Sequence, residues 1–448
     1  MAVETAGGIG LRPDGGRPPG GTRQHGTRGR GGPLLLLVAA LVAGLLSLFA
    51  LVAAGVVFLW PASPSKGPER GAQETVPLEP PESPDTSPAP RAGGGGTGEE
   101  EAGEPRVEVV ASGLEVPWDM AFDRDGNLFF TERPGRVRLW RPAGEGRPIL
   151  LATLEDTAAV GEGGLLGLAL HPRFPDEPFV YVYQTYRTAG RIANRVVRFR
   201  FDAGGPSGPR LVDRQVLLDG IPAAAIHDGG QLEFGPDGKL YVSTGDAGEP
   251  GRAQDPDSLH GKILRLNPDG SVPPDNPLGR ENPVYSFGHR NPEGLAFHPG
   301  TGALYAVEHG PDAWDEVNVI EPGGNYGWPV KVGPDHDNYS SPLRAYDPII
   351  APATADFYSG PIRAWNGSLF FGTLGFGADS AGRHLHRIRF GADGRTVVEE
   401  EVLFKGEYGR IRAVKTGPDG CLYFGTSNRD GRGDPAPEDD RILRACPR

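Results

Sequence analysis

Three short segments of the sequence carry groups that could do chemistry together. His227 is a loop histidine, and an imidazole can take a proton from a hydroxyl at neutral pH. Arg290 and Asn291, about sixty residues later, suit a planar anion and a carbonyl or amide edge. The Gly310 and Pro311 pair bends the backbone and leaves carbonyls free for a hard cation such as Ca²⁺. Together the segments predict a site for proton removal beside a bound anion and a cation.

Each of these groups also has an ordinary structural interpretation. A loop histidine is usually not catalytic, and a catalytic His227 would need Asp228 or another carboxylate to orient it. An arginine can simply hold neighbouring loops together, and Gly-Pro is a common turn. Whether the site exists depends on whether the fold brings the segments together.

Two further segments are weaker candidates. Arg410 and Arg412 alternate along a predicted strand, so both guanidinium groups lie on one face and form either a second anion-binding pair or an outward-facing pair. Asp315, Glu316 and the loop 323–329 could provide oxygen ligands for another Ca²⁺. The same residues could equally form a stiff turn.

A recurring strand pattern predicts the fold that positions these groups. An apolar strand, an Asp-Gly, Pro-Gly or similar turn and a second apolar strand recur six times at spacings of roughly 50–65 residues. The copies cover 119–130, 166–182, 232–242, 294–307, 355–371 and 413–424. This repetition predicts an all-β, six-bladed β-propeller over 106–448, with a two-sheet sandwich as the alternative. The strand Arg106 to Val110 is expected to complete the last blade and close the ring.

The propeller hypothesis places the candidate groups at one end of the ring. Functional loops of a propeller collect at one mouth of the central channel, where the inner strands converge. His227 lies just before the inner strand of the third repeat, and Arg290 and Asn291 occupy the equivalent place in the fourth. We therefore expect them to lie close together at that mouth.

The N-terminal part of the chain predicts a membrane anchor. Residues 34–60 are almost wholly apolar, carry no charge and are long enough to span a bilayer. The preceding tail, 1–33, is basic, so the positive-inside rule predicts a cytoplasmic N-terminus and a propeller outside the cytoplasm. A cleaved signal peptide is the alternative. Residues 61–105 are rich in Pro, Gly and acidic residues, which predicts a disordered linker.

Charge and cysteine content limit the remaining possibilities. The net charge of -13 disfavours a nucleic-acid partner, because phosphates require basic patches. The chain has two cysteines, Cys421 and Cys446, near the ends of two adjacent predicted strands. In an exported protein they are better suited to a structural disulfide than to a reactive pair, and a metal site would require more ligands.

Taken together, the motifs resemble those of the soluble pyrroloquinoline quinone (PQQ)-dependent sugar dehydrogenases, the glucose/sorbosone dehydrogenase family. The similarity runs from about Val107 to Arg448. Its most specific parts are Gly161–Gly167, Gly288–Pro292, Glu308–Pro311 with Asp315–Asn318, and Gly323–Pro329. The resemblance implies a six-bladed propeller that holds PQQ and Ca²⁺ and oxidises the C1 hydroxyl of an aldose to a lactone.

The resemblance also implies roles for individual residues. His227 would take the hydroxyl proton while hydride passes to PQQ, and Arg290 and Asn291 would contact the cofactor. The carbonyls of Gly310 and Pro311 would ligate the catalytic Ca²⁺. The partners would be a sugar substrate and an unidentified electron acceptor.

By the same resemblance, Arg410 and Arg412 would bind PQQ carboxylates. Glu316 and the carbonyl of Tyr326 would ligate a second, structural Ca²⁺.

Two positions depart from the family pattern. Glu162, a candidate cofactor contact, stands where the family usually has Gln, and Gly375 stands where it usually has Lys; nearby Arg383 is one substitute for that missing cation. These departures motivate an alternative function, a non-catalytic propeller that binds carbohydrate or protein and keeps a Ca²⁺ site. A hydrolytic propeller such as a lactonase ranks below both, because arginine pairs suit an anionic cofactor better than a neutral lactone.

Overall fold

The chain folds into a closed ring of six four-stranded antiparallel sheets. The computed structural model describes residues 105–448 apart from 145, 205, 207 and 377–380. Each sheet is one blade, and the six sheets confirm the predicted β-propeller, so the sandwich alternative was wrong. The described residues contain no helix long and apolar enough to cross a bilayer. The predicted tail 1–33, anchor 34–60 and nearly all of the linker 61–105 lie outside the described residues.

Blades 1 to 3 use the strands β2 to β13 in chain order. Blade 1 contains β2 Pro117–Phe122, β3 Leu128–Glu132, β4 Arg136–Trp140 and β5 Ile149–Thr153. Blade 2 contains β6 Leu165–Leu170, β7 Phe179–Thr188, β8 Arg191–Asp202 and β9 Arg210–Ile221. Blade 3 contains β10 Gly229–Phe234, β11 Leu240–Thr244, β12 Lys262–Leu266 and β13 Val284–Phe287, with a short 3-10 helix at Pro250–Gln254.

Blades 4 to 6 complete the ring. Blade 4 contains β14 Pro292–Phe297, β15 Leu304–Glu308, β16 Asp315–Ile320 and β17 Arg344–Tyr346. Blade 5 contains β18 Pro352–Phe357, β19 Leu369–Thr373, β20 Leu385–Phe390 and β21 Val397–Leu403. Blade 6 contains β22 Ile411–Thr416, β23 Leu422–Thr426, β24 Ile442–Cys446 and, as its outer strand, β1 Arg106–Ala111.

The first strand of each blade faces the central channel. The first strands of neighbouring blades contact one another around the whole ring, and their side chains are almost all buried. Apolar layers fill the space between blades, as where Phe129 of blade 1 packs with Val180 and Val182 of blade 2. A residue placed just before a first strand therefore lies at one mouth of the channel.

The ring is closed by pairing the two ends of the described chain. Strand β1 pairs antiparallel with β24, from Arg106 opposite Cys446 to Ala111 opposite Ile442. This arrangement confirms the expected closing role of the first strand. Cys421, just before β23, and Cys446 are joined in a disulfide with Cα atoms 4.4 Å apart. The disulfide holds β24 within the same blade that β1 closes.

We expect the Cys421→Ser and Cys446→Ser double variant to lose about 3 kcal/mol of unfolding free energy, because the disulfide closes a loop of 25 residues in the unfolded chain. Urea unfolding of the oxidised protein and the variant measures the difference. Reduced wild-type protein serves as the control and should match the variant. Equal stability of oxidised wild type and variant would contradict a stabilising role.

Candidate active site

The structure brings the main predicted side chains to the same mouth of the channel. Glu162, His227, Arg290 and Arg410 each lie just before the first strand of a different blade, β6, β10, β14 and β22. This common position follows from the repeat, because each loop enters its blade at the same end. The site is therefore built from loops of four blades on a rigid ring.

His227 is oriented by a buried carboxylate, and that carboxylate is Asp246. Its Nδ1 lies 2.7 Å from Asp246 Oδ1, while Trp328 Nε1 donates to Asp246 Oδ2 at 2.8 Å. Burial alone raises the pKa of Asp246, but hydrogen bonds from His227 and Gly248 outweigh it and hold that pKa below its usual value. An ionised carboxylate only accepts, so Nδ1 carries the hydrogen and Nε2 is left as an acceptor. This is the arrangement of a general base.

Asp228, the neighbouring carboxylate considered for this role, instead bonds to Asn194. Its Oδ1 accepts a hydrogen bond from Asn194 Nδ2 at 2.9 Å, and its side chain is buried. Burial raises the pKa of Asp228 to about 7. Orientation of His227 therefore comes from the end of the second strand of blade 3, where Asp246 follows β11.

The backbone at His227 is held in an unusual conformation. Its φ of 60° lies in the left-handed region. This conformation is unfavourable for a residue other than glycine, so it persists only where surrounding contacts hold it. The His227 N–H donates to Glu162 Oε2 at 2.8 Å. A Cβ at Gly245 would lie 1.9 Å from the His227 carbonyl oxygen, so the close approach requires glycine there. The imidazole is thereby aimed by contacts from two blades.

Glu162 connects His227 to an arginine that the sequence did not single out. Its Oε1 accepts from Arg432 Nη1 at 2.9 Å. Burial raises the pKa of Glu162, but the His227 N–H and the nearby positive charges outweigh burial and hold that pKa below its usual value. Glu162 is therefore an anion at this mouth, as its departure from the usual Gln suggested.

Arg290 lines the site with its guanidinium, whereas the side chain of Asn291 is buried below the surface of the site. Arg290 Nη1 donates to the His309 carbonyl at 3.2 Å and its guanidinium lies 5.4 Å from the Trp328 ring centroid. Its Nε is buried with no hydrogen-bond partner among the described residues. Asn291 is fully buried, and its Oδ1 accepts from the Gly229 N–H at 3.0 Å. Asn291 thus fixes the start of β10, next to His227, and its predicted cofactor contact stays a prediction.

Arg410 and Arg412 are both buried and both paired with carboxylates. Arg410 lies 2.8 Å from Asp430 Oδ2 and donates to the carbonyls of Leu374 and Gly375. Arg412 donates to Glu293 Oε2 at 2.7 Å. Their exposed fractions are 2% and 6%. Most of their positive charge is therefore compensated within the protein.

The predicted metal-binding residues share one cleft. Gly310, Pro311, Glu316 and Tyr326 line it together with Arg290. In the described part of the chain, no backbone group donates a hydrogen bond to the carbonyls of Gly310, Pro311 or Tyr326. These oxygens are therefore available to a cation.

Glu316 is a buried carboxylate beside an amide oxygen that is unsatisfied within the described chain. Its Oε1 lies 3.2 Å from His336 Nε2, and its Oε2 accepts from Asn318 at 3.1 Å. Burial and the nearby charge of Glu308 raise the pKa of Glu316. The Asn318 Oδ1 is buried with no hydrogen-bond partner among the residues described. A buried carboxylate and an unsatisfied amide oxygen fit Ca²⁺, which prefers oxygen ligands.

Both carboxylate oxygens of Asp315, a weaker metal candidate above, accept hydrogen bonds from the backbone. Its Oδ1 accepts from the Gly310 N–H at 2.8 Å, and its Oδ2 accepts from the N–H groups of Ile350 and Ala351, each at 2.7 Å. Oδ1 thus holds the Gly310 turn, and Oδ2 holds the segment before β18. The residue therefore positions the backbone beside the predicted metal ligands.

The sequence missed several residues that complete the site: Asp246, Trp328, Arg133 and Arg432. Arg133 donates to the Gly161 carbonyl, and its Nε is buried without a partner in the part of the chain that the structure describes. Asp246 follows a second strand, and Arg432 lies in a long loop between β23 and β24. Only the Gly-Asp pair directly after β11 offered a local signal.

The fold and the site together define a closed propeller with an oriented histidine and several arginines at one mouth of its channel. The Glucose / Sorbosone dehydrogenase family model matches residues 114–443. The chain belongs to this family of sugar-oxidising enzymes.

Similar proteins agree with this assignment. An aldose sugar dehydrogenase of Escherichia coli is 32% identical over 348 residues, which cover 72% of this chain and 91% of the relative. The PQQ-bound aldose sugar dehydrogenase of Streptomyces coelicolor is 38% identical with a TM-score of 0.68, and the match covers 76% of this chain and 98% of that one. A Thermus thermophilus protein, assigned as an oxidoreductase of the glucose dehydrogenase type, is 49% identical with a TM-score of 0.67 and coverages of 76% and 99%.

Proposed function

We propose that this protein oxidises the C1 hydroxyl of an aldose to a lactone, with PQQ as cofactor and His227 as base. The observation that carries the proposal is the His227 pair with Asp246, 2.7 Å apart, which leaves Nε2 free to accept a proton. The family membership and the PQQ-bound Streptomyces relative support the choice of reaction and cofactor.

The residues at the mouth fit an anionic, planar cofactor. Three guanidinium Nε atoms, those of Arg133, Arg290 and Arg383, are buried and unpaired among the described residues, so each has a donor to offer. Arg290, Arg410 and Arg412 would hold PQQ, which supplies a two-electron acceptor for the C1 hydride. His227 Nε2 takes the hydroxyl proton, and Asp246 stabilises the imidazolium that forms.

Ca²⁺ would be held by the cleft residues. Gly310 and Pro311 line the cleft together with Arg290, and their carbonyls would provide one set of oxygens. Glu316 and the Tyr326 carbonyl, in the same cleft, would provide a further set. A bound divalent cation supplies positive charge that polarises a neighbouring oxygen. Asp315 fixes the Gly310 turn so that its carbonyl is presented without rearrangement.

We expect Ca²⁺ to raise the Tm of the protein, and Glu316→Gln to remove most of that shift, because a bound cation stabilises the folded state by about 2.7 kcal/mol at a hundredfold excess over Kd. Differential scanning fluorimetry with Ca²⁺ and with EGTA measures it. Glu321→Gln, an exposed carboxylate beyond β16, is the matched control and should keep the full shift. No shift in wild type would contradict the calcium assignment.

The proposed function is tested by reconstituting the full chain with PQQ and Ca²⁺ and assaying a panel of aldoses with an artificial electron acceptor. We expect saturable aldose oxidation with lactone as product. PQQ binding without turnover of any aldose would overturn the enzymatic proposal. Glycan or protein binding without PQQ binding would favour the non-catalytic propeller.

We also propose that residues 34–60 anchor the propeller outside the cytoplasm. The support is the uncharged apolar run after a basic tail. Protease treatment of intact cells expressing the full chain should remove the propeller while leaving a cytoplasmic marker intact. Protection of the propeller in intact cells would contradict this location.

A further inference from the structure

We propose that Arg432 binds a carboxylate of the anionic cofactor. It would supply the positive charge that the family's usual Lys carries and that is missing here because position 375 is Gly. The inference rests on the proposed function, since it concerns the ligand of the same site. Arg432 lies in the loop between β23 and β24, outside every motif that carries the family resemblance.

The position of the Arg432 guanidinium carries the argument. On one side its Nη1 lies 2.9 Å from Glu162 Oε1, and Glu162 in turn holds the backbone of His227. On the other side its guanidinium carbon lies 5.9 Å from the ring centroid of Phe376, the residue after Gly375. Arg432 therefore extends from the base to the part of the mouth where the family's usual Lys would stand.

Accessibility separates Arg432 from the other arginines of the mouth. Its side chain is 43% exposed, whereas Arg410 and Arg412 are almost fully buried and each has a buried carboxylate partner. Within the described residues Arg432 has a single carboxylate partner, Glu162, which also accepts from the His227 N–H. Because a guanidinium has five N–H donors, Arg432 keeps donors for a second carboxylate.

Arg383 is the competing substitute for the missing Lys, and its Nε is buried with no hydrogen-bond partner among the described residues. It has only 12% of its side chain exposed and lies 3.3 Å from Asp434, an exposed carboxylate. Within the described residues, none of its ion pairs or side-chain hydrogen bonds involves Glu162, His227 or Arg410. The ion pair of Arg383 is therefore with Asp434, whereas that of Arg432 is with the carboxylate that holds the His227 backbone, and this contact makes Arg432 the stronger candidate.

The pairing also explains why a Glu can occupy position 162. A carboxylate there, alone, would repel an anionic ligand, but the ion pair with Arg432 compensates its charge. Its Oε2 still accepts the His227 N–H, which the oxygen of a Gln side chain could do equally. Glu162 therefore acts as a positioning residue for both His227 and Arg432.

The test is equilibrium binding of PQQ to the full chain in detergent with Ca²⁺, followed by quenching of tryptophan fluorescence. Arg432→Gln should weaken PQQ binding roughly tenfold, as expected for loss of a charge-assisted hydrogen bond, while Arg432→Lys should keep most of the affinity. Arg173→Gln, at an exposed arginine after β6, is the matched control and should leave the Kd within about twofold of wild type. Arg383→Gln is measured alongside as the competing arginine and should lose less affinity than Arg432→Gln. The trimethyl ester of PQQ, which lacks the carboxylate charges, should bind wild type and Arg432→Gln equally.

The outcomes separate this inference from the proposed function. If wild type binds PQQ and Arg432→Gln binds it equally well, the Arg432 inference is overturned while the proposed function stands. A larger loss in Arg383→Gln than in Arg432→Gln would assign the charge to Arg383 instead. If wild type binds no PQQ at all, the proposed function fails and the inference fails with it.

Discussion

Replacement of His227 by alanine is expected to lower kcat for aldose oxidation by roughly 10²–10⁴-fold, the usual contribution of a positioned general base. The physical reason is that its Nε2 is the acceptor that the Asp246 hydrogen bond leaves available at this mouth. PQQ affinity should change little, because His227 acts on the substrate hydroxyl. Steady-state kinetics of the reconstituted enzyme, with PQQ binding measured in parallel, separate the two effects.

Asp246→Asn tests the His227–Asp246 pair by changing the carboxylate that orients the imidazole. An amide can donate to Nδ1 and so favours the wrong tautomer of His227, which should lower kcat by roughly 10²-fold or more. Asp228→Asn is the matched control: it makes the same chemical change at a buried carboxylate that bonds to Asn194 and does not contact the imidazole of His227. We expect its kcat to stay within about threefold of wild type. A similar loss in both Asp variants would mean that blade 3 is generally perturbed and would contradict a specific role for Asp246.

The fold could be predicted because each blade repeats the same local chemistry. A tight turn between two apolar strands recurs where β2 meets β3, β10 meets β11 and β22 meets β23. The outer strands vary more, from the 12 residues of β9 to the three of β17. Their lengths depend on how each blade meets solvent and its neighbours, so the repeat alone did not predict them.

The site could be predicted only where it coincided with the repeat. His227 and Arg290 lie at equivalent places before first strands, and the structure brings them to one mouth. Their partners come from other positions: Asp246 follows a second strand, and Arg432 lies in a loop 270 residues after Glu162. Such long-range pairs are set by ring closure, and no local pattern encodes them. The hydrogen bonds of Asn291 to Gly229 and of Asp315 to Gly310 were not predicted, although both join neighbouring segments of the site.

The central channel contains a second charged group that connects distant blades. Its residues lie within the strand repeats and outside the segments that carry the candidate site. Lys415 on β22 lies 3.0 Å from Glu233 on β10 and 3.4 Å from Asp356 on β18. Blades 3 and 6 are opposite each other in a six-membered ring, so the Lys415 to Glu233 pair crosses the channel. Burial raises the pKa of Glu233 and, to about 7, that of Asp119 on β2. A single lysine therefore pairs with carboxylates on two first strands, and its charge also lowers the pKa of Asp119 on a third.

Lys415→Met should lower the free energy of unfolding by about 3–5 kcal/mol at pH 8, because it leaves buried carboxylates without their cation. The loss should shrink towards pH 5. The charge of Lys415 lowers the pKa values of Glu233 and Asp119, which burial has raised above their unfolded values. Without Lys415 these two pKa values rise further, so stability is lost as the pH rises through them and regained as the two groups are protonated. Urea unfolding at the two pH values measures this.

Two further variants decide whether the charge of Lys415 is the cause. Lys405→Met, at an exposed lysine beyond β21, is the matched control and should change stability by less than about 0.5 kcal/mol. Adding Glu233→Gln to Lys415→Met should recover part of the loss, because it removes one of the uncompensated charges. A deficit that is the same at pH 5 and pH 8, or that the second substitution deepens, would show that Lys415 stabilises the channel by packing instead of by charge.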